Sequence, residues 1–253
     1  MVADIPNAKR DPATSEITDQ VPNQVRNLIG SSGITKTMHL FPRKRALLFV
    51  VLAQTVAFAN LAIANLGQDV VAKSAAEARP ISAGKSIPRA TLKGIDGKAI
   101  SLKDAVAGKP TVIIFYRGGW CPFCNAHLSD LAKVEAEVRA KGYQIIAISP
   151  DIPTELAKTV DKDHLTYRLF SDSSAEAMKK FGVAFRVDDE TYTMYRDRFK
   201  LDLEVSSGQK HHILPVPSVF VVNPMGKITF AKSDPDYKVR IKGTDLLKAL
   251  DSE

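Results

Sequence analysis

The stretch from Thr111 to Ser149 constrains the fold of this chain more than any other. Thr111-Val-Ile-Ile-Phe-Tyr116 is a continuous apolar run rich in β-branched residues, the pattern of a central strand buried on both faces. After Cys121 the period changes. Leu128, Leu131, Val134 and Val138 recur at helical spacing and form one apolar face. Pro122 suits the first helical position, where no N–H is needed. Lys141 and Gly142 close the helix with a cation and a left-handed cap. Tyr143-Gln-Ile-Ile-Ala-Ile-Ser149 is the next strand. Strand, helix and strand in this order make a βαβ unit with parallel strands. In open α/β sheets, ligand chemistry gathers at the carboxyl ends of the strands. Cys121-Pro122-Phe123-Cys124 lies at that end, and it holds the only two cysteines of the chain.

The flanking segments extend the same domain. Ile95-Asp96-Gly97-Lys98 is a hairpin signal between short strands at Ala90–Lys93 and Ala99–Leu102. Lys103–Ala107 reads as a single helical turn. Glu155–Val160 forms the core of a second helix and Tyr167–Phe170 a short strand. Asp172 or Ser173 caps a third helix from Ala175 to Phe181, and Gly182–Val187 extends as a strand. Residues 188–213 carry charges and aromatics without a clear period and read as an insertion. Pro217–Val222 and Lys227–Ala231 are strands around the turn Asn223-Pro-Met-Gly226, and Thr244–Leu250 is a closing helix with Thr244 as its cap. The result is one mixed α/β domain over residues 80–253.

The first 79 residues have another character. Residues 1–37 show no sustained period and read as disordered, or as an extension upstream of the mature protein. From Met38, the basic Arg43-Lys-Arg45 precedes Ala46-Leu-Leu-Phe-Val-Val-Leu-Ala53 and small-residue triplets at Ala57-Phe58-Ala59 and Ala62-Ile63-Ala64. That is the order of a cleaved signal peptide over 38–64. The alternative is an uncleaved membrane anchor at Ala46–Leu66, weakened by Gln54, Asn60 and Asn65. Either way the domain is exported, to the periplasm, and the membrane is a partner only if the segment stays uncleaved. Residues 65–79 read as a linker. Of the formal charge of +7, residues 1–37 contribute nothing and Arg43, Lys44 and Arg45 contribute +3, which leaves +4 for the rest. A domain that mildly basic, without a Lys/Arg run, gives no case for nucleic acid.

Two thiols two residues apart at a helix start close a small disulfide with little backbone movement. The helix dipole and free N–H groups favour a thiolate there. One sulfur attacks a sulfur or a peroxide oxygen, and the other resolves the intermediate as an internal disulfide. Arg117, just upstream, adds positive potential. Trp120 and Phe123 flank the thiols, either to dock a substrate or to pack under the loop. Two other readings of the cysteines stand beside redox chemistry. One is a structural disulfide, disfavoured because so short a loop constrains the unfolded chain least. The other is soft-metal binding, of copper or zinc, by a non-catalytic module. His127, His164, His211 and His212 would have to complete that site, and their spacing to the cysteines suggests no such set. No cofactor is implied.

Trp120-Cys-Pro-Phe-Cys124 after an apolar strand resembles the active site of thioredoxin-fold proteins. Phe115-Tyr-Arg-Gly-Gly-Trp-Cys-Pro-Phe-Cys124, Leu214-Pro-Val-Pro-Ser-Val-Phe220 and Asp234-Pro-Asp-Tyr-Lys-Val-Arg240 together resemble the peroxiredoxin-like branch of the AhpC/TSA family. The resemblance implies a thioredoxin fold with an N-terminal hairpin and an insertion before the cis-proline strand. It implies that Val216-Pro217 is the cis-proline segment that lies against the cysteines and binds substrate. It also implies reduction of hydroperoxides or disulfides with electrons from a thioredoxin-type donor. The departures matter as much. The peroxiredoxin threonine falls on Cys121, its arginine on Pro217, and the buried aspartate of thioredoxins on Phe115. By thioredoxin analogy Cys121 is the exposed attacker and Cys124 resolves; by peroxiredoxin analogy Cys124 attacks. Helix geometry favours Cys121, which lies outside the first turn. The lost threonine and arginine point to protein disulfides as substrate, and family likeness points to hydroperoxides. N-terminal sequencing of the mature protein checks the reading of the leader: a first residue after Ala59 or Ala64 is expected, and a mature chain starting at Val2 contradicts it.

Overall fold

The structure is a computed structural model in which residues 71–252 are described. The expected extension and leader lie outside those residues. Among the described residues no helix is long and apolar enough to cross a membrane.

The hairpin comes first, as β1 (Thr91–Lys93) and β2 (Ala99–Ser101), followed by α1 (Leu102–Val106). Ser101 ends the strand and starts the helix, because its hydroxyl accepts the Asp104 N–H at 3.1 Å. The expected βαβ unit follows as β3 (Thr111–Phe115), α2 (Pro122–Lys133), α3 (Glu135–Ala140) and β4 (Gln144–Ser149). The two strands pair in parallel from Thr111 opposite Gln144 to Phe115 opposite Ile148. Next come α4 (Pro153–Asp163), β5 (Arg168–Ser171), α5 (Glu176–Lys180), β6 (Ala184–Arg186), α6 (Asp189–Phe199) and α7 (Leu203–Ser207). The chain ends with β7 (Ile213–Pro215), β8 (Ser218–Val222), β9 (Ile228–Ser233) and α8 (Gly243–Asp251). The main sheet runs β2-β1-β5-β4-β3-β8-β9, and β6 pairs with β7 in a separate ribbon. The strand that leads to the two cysteines is therefore central.

Every residue of β3 is buried, and its alternation separates two apolar cores. Val112, Ile114 and Tyr116 enter one core with Cys121, Cys124, Leu128 and Leu131. Ile113 and Phe115 enter the other with Ile148, Phe181 and Phe220. Full burial of one such side chain stabilises by about 1.5–3 kcal/mol, so the strand that leads to the cysteines is firmly held. α2 is held as well, since the Tyr167 hydroxyl donates to the Leu128 carbonyl at 2.8 Å. Phe115 packs against Phe181, with centroids 4.9 Å apart, on the face of the sheet away from the cysteine core.

Several elements differ from the sequence reading. The helix after Cys121 breaks at Val134, whose N–H reaches back only three residues, to Leu131. The break brings Val134 against Gly243, where a Cβ would lie 3.0 Å from Val134 Cγ2. The 188–213 insertion is largely helical. α6 buries no residue, so it carries no apolar stripe to read; its caps define it instead. Asp188 accepts the Thr191 N–H at 2.8 Å, and Asp202 accepts those of Glu204 and Val205. Thr244 is not the cap of α8, because the helix starts at Gly243 and the free Gly243 N–H donates to Asp130 Oδ2 at 2.8 Å. Of the supposed linker, residues 71–79 belong to the fold. Ala72 pairs beside Phe185, and the Arg79 N–H donates to the Gly182 carbonyl. Pro217 is not cis: no cis peptide bond occurs among the described residues. The chain stays extended from β7 into β8, with the Val216 N–H donating to the Val183 carbonyl at 2.8 Å. Extended geometry suits a residue before proline, and trans is the cheaper isomer by about 0.5–1 kcal/mol.

Candidate active site

Between β3 and α2 the chain makes a tight turn through Arg117, Gly118, Gly119 and Trp120. Gly118 takes φ +149°, and a Cβ there would lie 2.2 Å from Trp120 Nε1. A Cβ on Gly119 would lie 1.9 Å from Thr159 Oγ1. The two glycines let Trp120 fold back over the turn and let the turn press against α4. Buried Asp151, just past β4, fastens this turn. Its Oδ2 accepts the Gly119 N–H at 2.8 Å, and its other oxygen accepts the Ser206 hydroxyl. The same carboxylate thus ties α7 to the redox turn. Burial pushes the Asp151 carboxyl up to about 6, against the pull of Ser206, Gly119 and Ser149. Asn125 Nδ2 and Lys162 Nζ donate to the Gly119 carbonyl at 2.9 and 3.2 Å.

Cys121 is the N-cap of α2, Pro122 its first residue, and Cys124 sits in the first turn. Both thiols are free. The Cys124 and Asn125 N–H groups both donate to the Cys121 carbonyl at 3.0 Å. The Cys121 thiol is lowered to about 6. The hydrogen bond from the Cys124 thiol is the largest cause, and the Cys124 N–H, Arg117 and Arg240 add to it against burial. The Cys124 thiol goes the other way, raised by its burial and by the neighbouring Cys121 charge. Arg117 lies near the thiols, and its charge lowers the Cys121 thiol. One expectation fails: Cys121 is not exposed. It is 1% exposed and Cys124 0%, because Cys121 caps α2 from within the apolar core that holds Tyr116 and Leu128.

Two distant segments close over this pair. From α6, the Tyr195 hydroxyl meets Arg117 Nη2 at 2.6 Å. From the loop after β9, Tyr237 packs edge-on against Phe123. The Arg117 guanidinium lies 5.1, 5.7 and 4.5 Å from the ring centres of Trp120, Tyr195 and Tyr237. Each such contact stabilises a cation by about 0.5–2 kcal/mol, which is how a nearly buried arginine is tolerated here. Arg240 reaches Cys124 Sγ with Nη2 at 3.6 Å. The flanking aromatics divide in role: Trp120 is half-buried against the core, whereas Phe123 is 41% exposed.

This architecture bears on what the chain is. The family profile described as the AhpC/TSA family matches residues 83–231, more than half of the sequence. The chain belongs to the AhpC/TSA family. Over 104 residues it is 29% identical to Peroxiredoxin Bcp of Escherichia coli, a match that covers 41% of this chain and 66% of that one. It is 32% identical over 103 residues to the chloroplastic Peroxiredoxin Q of Gentiana triflora, covering 41% and 47%. The chain thus spans just under two thirds of the Bcp relative's length. Among solved structures, peroxidoxin BcpB from Mycobacterium tuberculosis superposes with TM-score 0.52 at 18% identity, covering 68% of this chain and 96% of that one. Reduced Prx3 from Vibrio vulnificus gives 0.56 at 16% identity, covering 68% and 99%. These likenesses establish a thioredoxin fold of the peroxiredoxin type.

Within the AhpC/TSA fold, the structure brings together most of the residues expected at the site and separates others. Val216 and Pro217 are buried, and Pro217 lines a small crevice with His127 and Arg240. His164 caps α4, His211 bonds the Ser173 carbonyl, and His212 stacks on Tyr192 and bonds Glu204. Among the described residues no cluster of three or more metal-ligating side chains occurs. The residues that sequence reasoning missed are Asp151, Tyr195, Tyr237 and Arg240. The motif Asp234–Arg240 was visible, but nothing local revealed which of its side chains would reach a sulfur. The lowered Cys121 thiol predicts alkylation kinetics. In the Cys124→Ala variant the loss of the donating thiol raises the pH midpoint of Cys121 reaction with iodoacetamide. In the unaltered chain one thiol gains reactivity as pH rises through about 6, because the thiolate, not the thiol, reacts. Equal midpoints near 8.5 in both chains would contradict this assignment.

Proposed function

We propose that this protein reduces hydroperoxides with the Cys121–Cys124 dithiol and is returned to the reduced state by a thioredoxin-type donor. Membership of the AhpC/TSA family supports the reaction class. The burial of both sulfurs in the dithiol state carries the choice of substrate. Attack on a protein disulfide requires the nucleophilic sulfur, the attacked sulfur and the leaving sulfur to align outside the protein surface. A sulfur that is 1% exposed offers such an approach only where the covering Tyr237 loop gives way. A small hydroperoxide needs only a local opening beside Trp120 or Tyr237.

In this reading Cys121 is the attacking sulfur, since its thiol is the one lowered in pKa. The Cys121 thiolate displaces an alkoxide or hydroxide from the peroxide oxygen and becomes a sulfenic acid, and the leaving oxygen takes up a proton. Arg117, held in its aromatic cage, places positive charge where that oxyanion develops. Cys124 then displaces hydroxide from the Cys121 sulfur and forms the disulfide. A donor dithiol reduces the disulfide by exchange. Its access requires the Tyr237 loop to give way, and the exposed Phe123 and Tyr237 rings border that opening.

Hydroperoxide consumption tests the proposal, with thioredoxin or dithiothreitol as reductant. The unaltered chain should consume peroxide well above the rate of reductant alone. Cys121→Ser should fall to that background, and Cys124→Ser should retain the first oxidation but lose sustained turnover with thioredoxin. An unaltered chain no faster than free dithiothreitol would end the peroxidase reading.

A further inference from the structure

The resolving sulfur presents a problem that the thioredoxin and peroxiredoxin patterns leave open in this chain. Cys124 is fully buried and must lose its proton before it can attack. Phe115 stands where thioredoxins place a buried aspartate, and it packs on the far face of the sheet. We propose that Arg240 is a catalytic residue: its guanidinium holds the Cys124 thiolate while that sulfur closes the disulfide with Cys121. The proposal rests on the reading above that Cys121 is oxidised first.

The geometry is specific. Arg240 Nη2 lies 3.6 Å from Cys124 Sγ, although 116 residues separate them in sequence. Nη1 donates to the Val239 carbonyl at 2.9 Å, and Nε meets no acceptor among the described residues. The sulfur is thus the one side-chain acceptor this guanidinium meets among those bonds. Three contacts along one face of α2 hold the segment in register. Cys124 meets Arg240, His127 lines a crevice with Ile241, and Asp130 Oδ2 accepts the Gly243 N–H at 2.8 Å. Cys124, His127 and Asp130 recur at the three-residue spacing that lines a helix face. Ile241, buried with Leu246 and Leu250, anchors the same segment in the cysteine core.

The groups around Cys124 leave Arg240 the role of side-chain cation on this sulfur. Cys121, on the same helix, raises its pKa when ionised. Tyr116, just past β3, is buried and its phenol is pushed far up, so it stays neutral. Burial, and then Arg240 itself, hold His127 down to about 4, so it too is neutral at physiological pH. The Arg117 backbone lowers the Cys124 thiol, while its side chain is engaged with Tyr195. In the step itself the Cys124 proton passes to the oxygen of the Cys121 sulfenic acid. The thiolate electron pair forms the S–S bond as the Cys121 S–OH bond breaks, and the oxygen leaves as water. The oxidising equivalents come from the hydroperoxide alone.

The test separates this role from peroxidase activity by using no oxidant. In the Cys121→Ser chain Cys124 is the only sulfur from cysteine, and thiolate absorbance at 240 nm follows its titration. Arg240→Gln should move that titration up by about one unit or more, and Arg240→Lys should hold it closer to the parent value. Arg240→Met, which keeps the apolar stem, makes the same comparison if the glutamine chain is unstable. In the dithiol chain, Arg240→Gln should slow disulfide closure after one equivalent of hydroperoxide by about ten-fold at neutral pH, the equivalent of one pKa unit. A Cys124 titration unmoved in folded Arg240→Gln or Arg240→Met overturns the proposal. A lysine variant shifted as far as glutamine also overturns it, because packing rather than charge would then set the value. Should the titration move while no peroxide is consumed, the Arg240 contact stands and the substrate reading fails.

Discussion

The structure depends on keeping a negative charge on a sulfur that water barely reaches. A thiolate at Cys121 is 1% exposed, and burial alone would raise its pKa. The Cys124 thiol and N–H, the first turn of α2, and two guanidiniums reverse that. Each support comes from a different part of the fold. β3 and α2 set the sulfurs at a strand-to-helix junction, the Gly118-Gly119 turn brings Arg117 beside them, and the loop after β9 delivers Arg240. The two cations and the buried anion stabilise one another, and the anion would not be tolerated as well alone.

The inserted segment and the loop after β9 meet at this junction from two directions. α6 buries none of its own residues, yet Tyr195 from it reaches Arg117 and stacks near Trp120. α7 is tied to the turn through Ser206 and Asp151. Tyr237 covers Arg117 and Phe123 from the other side. The aromatic cage therefore couples two peripheral segments to one guanidinium.

What could be read from the sequence was what local pattern encodes. The continuous apolar run 111–116, the helical face of Leu128 and Leu131, and the cysteines between them are neighbours in the chain, so periodicity and capping chemistry reveal them. The family likeness followed from the same motifs. What stayed hidden depends on long-range packing. The helix break at Val134 lies against Gly243, and the Gly243 N–H goes to Asp130 where Thr244 was expected to cap the helix. α6 has no apolar stripe, so only its caps and its acidic-to-basic gradient could have disclosed it. The trans peptide at Pro217 departs from the thioredoxin-like expectation. Arg240 reaches Cys124 from 116 residues away, a contact that no spacing rule could have supplied.

The order of attack is the account's central claim, and chemical trapping of the first oxidised sulfur tests it most directly. Each single-cysteine chain, Cys124→Ser and Cys121→Ser, is mixed with one equivalent of hydroperoxide in the presence of dimedone, and the adduct is mapped and timed by mass spectrometry. The account predicts rapid sulfenate on Cys121 in the first chain and slow oxidation of Cys124 in the second. Faster sulfenate formation on Cys124 than on Cys121 would contradict it.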